Sequence, residues 1–117
     1  MFKLGIALLV SCSLFAKKID FVRQVQPILE LRCVRCHGPG AAMRNLRLDR
    51  RDRAMTVIIP HRPGDSRLYL AMKSGFMPPG DRKMPPEEIE IIRRWIAEGA
   101  HWPKNVELRP INPFTQR

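Results

Sequence analysis

The sequence predicts one small domain built on short helices, without a large sheet, and three observations carry that reading. Apolar residues recur at helical spacing in two stretches, Phe21, Val22, Val25, Ile28 and Leu29, then Ile89, Ile92, Trp95 and Ile96. Eleven prolines cut the 117 residues into short pieces. Two Trp, one Tyr and five Phe leave little for a large sheet core, so a sizeable buried prosthetic group would help the chain hold together.

Residues 1–16 place one cation, Lys3, before the apolar run LGIALLV and the small-residue stretch SCSLFA. This pattern reads as an export signal, too short to span a bilayer comfortably, in preference to an internal helix. Two processing sites compete. Leu9-Val10-Ser11-Cys12 resembles a lipobox in which Cys12 would be lipidated and anchor the chain to a membrane, whereas Ala16 before Lys17-Lys18 suits an ordinary signal peptidase. The expected domain spans 18–102, and residues 103–117, with Pro103, Pro110 and Pro113, read as an extended C-terminal tail.

Within the domain, Asp20 is positioned to cap the first helix, and Pro27 should kink or restart it. Gly38-Pro39-Gly40 ends regular structure, and an arginine-rich segment follows to Pro63. Val57-Ile58-Ile59 in that segment is a candidate short strand without an obvious partner. Asp65 or Ser66 should cap a short helix carrying Leu68, Tyr69 and Met72, which Gly75 ends. A Pro- and Gly-rich loop runs from Met77 to Pro86. The last helix then starts with Pro86, Glu87 and Glu88 in its first turn and stops at Gly99.

Lys and Arg number 21 against 11 Asp and Glu, for a net charge of +10. Such a chain is drawn to acidic partner proteins, anionic lipid or nucleic acid; the plainer alternative is a solvated basic surface. Export and the scarcity of aromatics among the arginines argue against nucleic acid. Once Cys12 is assigned to the leader, an exported domain keeps a single close cysteine pair, Cys33 and Cys36. That pair is either a local disulfide or a pair of thiols consumed by other chemistry.

Cys33-Val34-Arg35-Cys36-His37 is the spacing of c-type haem attachment. Two thiols three residues apart on one turn can reach the two vinyl groups on one porphyrin edge, and the next residue delivers an imidazole to the iron. A structural disulfide leaves His37 unexplained, and a thioredoxin-like site wants a βαβ context that is missing here. A zinc site would need more ligands, and His61 and His101 lack the usual paired spacing.

VQPIL before CVRCHG, LRLD at 46–49, PGDSRL at 63–68, MPPG at 77–80, and EEI, WI and GAHWP between Glu87 and Pro103 follow one another across nearly all of the expected domain. In this order they resemble the small planctomycete-type cytochrome c domain of the class I cytochrome c superfamily. The resemblance implies an all-α, class I cytochrome c-like fold, with a few short helices wrapped around one covalently bound haem c. In it the first and last helices cross beside the haem, and a methionine from a late loop binds the second face of the iron. Met77 and Met84 each precede Pro-Pro. Met77 matches the ligand position and Met84 takes the place of a core leucine, so Met77 is the expected sixth ligand and Met84 the second choice. His61, where the family often has glycine, is a further candidate, and His101 reads as a surface residue.

The function this implies is that of a one-electron carrier rather than an enzyme, with Cys33 and Cys36 holding the haem and His37 and Met77 on the iron. A haem enzyme subunit or ligand-sensing domain with an open sixth position is the alternative. The expected location is the periplasm, or the outer surface of the inner membrane of a Gram-negative-type bacterium. Expected partners are redox proteins with an acidic docking surface, including an exported dehydrogenase that this chain would serve as a detached subunit.

Overall fold

Asp20 begins the first helix by side-chain capping: its carboxylate accepts the Arg23 backbone N–H at 3.0 Å. In the computed structural model, which describes residues 17–81 and 83–112, the helix that follows changes type where the sequence contains proline. Phe21–Val25 form a π-helical turn in which Gln26 N–H reaches back to Phe21 O, and α1, Gln26–Arg32, then starts with Pro27 in its first turn. Pro27 has no N–H and its ring crowds the carbonyl four residues back, so a wider turn followed by a fresh helix start accommodates it. The leader and Cys12 lie outside the described residues.

After α1 come a two-stranded antiparallel ladder, β1 (His37–Gly38) with β2 (Ala41–Ala42), and then α2, Arg51–Ala54. Next are α3, Arg67–Lys73, and α4, Pro86–Ala97. Single 3₁₀ turns fall at Met43–Asn45 and Pro63–Asp65. The chain is thus helix-rich with a small sheet, and that ladder is a departure from a purely all-α reading.

Residues 57–59 are not a strand. Ile58 is buried, but Ile59 N–H is held by Ser66 Oγ at 2.9 Å, and Val57 O accepts Leu68 N–H at 3.1 Å. Ser66 stands at the N-cap of α3 without capping it, because its hydroxyl donates instead to Arg62 O at 2.8 Å. Local hydrogen bonds have taken the place of a ladder partner.

The core lies where the first helical segment meets α4. Phe21 packs against Trp95 and Trp102 with ring centroids 5.7 and 4.6 Å away, and the two indoles are 6.3 Å apart. Each buried indole N–H is satisfied, Trp95 by His101 O and Trp102 by Val106 O, both at 2.8 Å. At the end of α4, Gly99 N–H bonds Ile96 O and Ala100 N–H bonds Trp95 O, the paired bonds of a Schellman stop, with Gly99 at φ +114°. Beyond it the chain runs back along the body. Leu108 is buried with its N–H on Asp49 O at 2.8 Å, and Ile111 N–H reaches Glu30 O at 3.0 Å.

Candidate functional site

The end of α1 rolls directly into the cysteine turn. Cys33 and Val34 N–H both return to Leu29 O, and Cys36 and His37 N–H both return to Cys33 O, at 3.2 and 2.9 Å. This winding buries Val34, half-buries Cys33 and His37, and leaves Cys36 exposed. Gly38 is required next, since a Cβ there would run into the Val34 carbonyl oxygen.

His37 is anchored through its backbone and through one ring nitrogen. Its N–H and C=O are bonded to Cys33 and Leu48, and its Nδ1 lies 3.1 Å from Met43 O. A carbonyl only accepts, so Nδ1 carries a proton, and in the neutral ring Nε2 is the nitrogen with the lone pair. This is the partner arrangement that orients a metal-ligating imidazole and raises its basicity.

These residues form one wall of a cleft with about 880 Å³ of empty space, part of it open to solvent. Cys33, Cys36 and His37 face it together. So do Met77, Pro78, Pro79 and Met84, from the loop before α4. Leu46, Leu48, Val57, Leu68 and Met72 supply apolar surface between them, and Arg32, Arg44 and Arg67 supply the cations.

Residues 33–88 match the family model described as Planctomycete cytochrome C. The chain carries a planctomycete-type cytochrome c domain. A domain of this family is a haem-binding electron carrier, and electron transfer rather than catalysis is the function class it indicates. Comparison with curated proteins and with solved structures gives no match.

The residues of this cytochrome c domain suit a haem. The cysteines are free thiols in one cleft, the imidazole beside them has a lone pair to offer, and two soft thioethers stand on the loop wall. Burial pushes the Cys33 thiol up to about 12, so before any attachment it is a neutral thiol packed beside apolar neighbours. Among the described residues, no group of three or more His, Cys, Asp and Glu is assembled as a metal site.

Met77 and Met84 differ in surroundings although both reach the cleft. Met84 is a core residue at 5 % exposure, whereas Met77 is half-buried, its N–H bonded to Ala71 O at 3.0 Å. His61 is placed elsewhere: its N–H bonds Ile96 O at 2.7 Å and its Nδ1 lies 3.2 Å from Ala97 O, at the end of α4. His101 is exposed and contributes its carbonyl to Trp95. Neither histidine lines the cleft. Sequence reasoning missed Arg44 and Arg67 as wall residues, because nothing in their spacing from the cysteines marks them.

Proposed function

We propose that this chain is a mono-haem c-type cytochrome that carries single electrons in an exported redox chain. What carries the reading is the His37 ring, fixed by Met43 O in the same cleft that receives both thiols and the thioether of Met77. When bound, the haem supplies a ferrous/ferric couple. Cys33 and Cys36 would hold it through thioether bonds, and His37 Nε2 and Met77 Sδ would be its ligands from the chain.

Thioether ligation favours the ferrous state relative to a second imidazole, so the chain tunes its couple through Met77. The apolar walls offer the group a largely apolar setting, and Pro78 and Pro79 limit the freedom of the loop that presents the sulfur. With both His37 and Met77 engaged, the group would serve electron transfer rather than substrate binding. Export by the 1–16 leader, to the periplasm or the outer face of the inner membrane, supplies the compartment in which haem is attached. Lipidation at Cys12 is one of its two processing routes. The basic surface favours redox partners with an acidic docking face, an exported dehydrogenase among them.

The test is the mass and visible spectrum of protein matured in a periplasm. One covalent haem per chain, lost in Cys33→Ala/Cys36→Ala, is expected. A colourless product with the mass of the bare polypeptide overturns the reading.

A further inference from the structure

We infer that Arg44 and Arg67 form a two-point clasp for carboxylates at the cleft, one guanidinium for each of the two propionates that a haem carries. The inference rests on the haem reading above and concerns which residues of this chain position the group.

Among the described residues, three cations line the cleft, Arg32, Arg44 and Arg67, and no Asp or Glu does. Arg32 is already engaged: its Nη2 and Nε meet the Glu88 carboxylate at 2.8 and 3.4 Å. Arg67 gives a single Nη2 bond to Thr56 O at 3.2 Å, which orients its fork and leaves its other donors free. Among the described residues, Arg44 has no hydrogen-bond or ion-pair partner.

The backbone at Arg44 is the second observation. Arg44 and Asn45 sit consecutively in the left-handed region, at φ +55° and +58°, although neither is glycine. Such conformations are unfavourable for residues with a Cβ and persist where surrounding structure holds them. Arg53 Nη2 lies 3.2 Å from Asn45 O and 3.3 Å from Asn45 Oδ1, which ties this turn to α2. The residue so constrained directly follows Met43, whose carbonyl orients the His37 ring. The carbonyl that orients the His37 ring and the backbone that carries Arg44 therefore belong to one short turn.

Porphyrin carboxylates taken into a cleft need charged partners, and an arginine fork satisfies a carboxylate with two parallel bonds. Among the described residues, Arg44 and Arg67 are the two cleft cations with donors to spare. Their positive charge beside the porphyrin also favours the ferrous state, so their loss should lower the potential.

The test uses the haem-loaded protein carrying Arg44→Gln, Arg67→Gln or both, with Arg51→Gln as control. Arg51 is an exposed cation of α2 that does not line the cleft. Each cleft variant should lower the midpoint potential more than the control does. Each should also shift a propionate-bending band in the resonance Raman spectrum, with both bands moved in the double variant. Arg44→Lys and Arg67→Lys should restore the potential, which follows charge, without restoring the band, which follows the fork. They stand in for any glutamine variant that fails to mature. Propionate bands unmoved in the cleft variants, with potentials equal to that of Arg51→Gln, overturn the clasp while leaving the haem reading intact. A haem-free wild-type chain overturns the haem reading itself.

Discussion

Arg32 Nη2 and Glu88 Oε2 lie 2.8 Å apart, and this ion pair fastens the residue before Cys33 to the first turn of α4. The two side chains are only 28 % and 18 % exposed, so the pair is better shielded than a surface contact. Glu88→Gln should cost about 1 kcal/mol of stability, with part of that loss removed by salt. A double-mutant cycle with Arg32→Gln, followed by denaturant unfolding, measures the coupling. Strict additivity of the two substitutions would remove the pair from the account.

Asp49 gives a pH-dependent counterpart. Its buried carboxylate accepts two bonds from Arg47, at 2.9 and 2.6 Å, and its carbonyl holds Leu108. The Arg47 hydrogen bonds, more than any other cause, keep the carboxyl below its ordinary value of 3.8. A depressed folded value adds stability that is present above the unfolded value and is lost as pH falls through the folded one. Asp49→Asn should therefore cost about 1–3 kcal/mol at neutral pH. The gap from wild type should hold steady down to about pH 4 and shrink below it, as read by urea unfolding across that range. A gap that widens on acidification contradicts the assignment.

The elements that were legible in the sequence are those whose cause is local. α4 shows its phase, its proline start and its glycine stop within fourteen residues, Pro86 to Gly99, and the cysteine turn states its spacing in five. Pro27 predicts an interruption, though spacing alone does not say that a π-helical turn at Phe21–Val25 absorbs it. Val57-Ile58-Ile59 looked like a strand because composition does not reveal that Ser66 will take the Ile59 N–H. Leu108, in a stretch that reads as plain tail, is buried through a bond to Asp49, a pairing that no window of sequence contains. The wall arginines are hidden for the same reason: only the folded chain brings them beside the cysteines.

Gly99 and His61 test the end of α4. Gly99 adopts φ +114°, and a Cβ there would lie 3.0 Å from His61 Cε1. Gly99→Ala should cost about 1–3 kcal/mol, from strained backbone and from crowding together. His61→Ala removes the crowding and not the strain, so the double variant should cost less than the sum of the singles. Thermal unfolding of the four proteins decides it, and full additivity would confine the effect to the backbone.

The two loop methionines separate ligation from packing. Met84, 5 % exposed within the core, should lose about 2–5 kcal/mol of stability as Met84→Ala while keeping its spectrum. Met77 is half-buried on the cleft wall and gives up less packing, so Met77→Ala should cost less stability. It should instead lower the midpoint potential and erase the far-red sulfur-to-iron band, because the sulfur is lost and the fold is kept. Redox-poised spectra and denaturant curves on both variants give the two readouts independently. If the band survives in Met77→Ala and vanishes in Met84→Ala, the core methionine is the ligand, and the stability lost in Met84→Ala then includes an iron bond as well as a cavity.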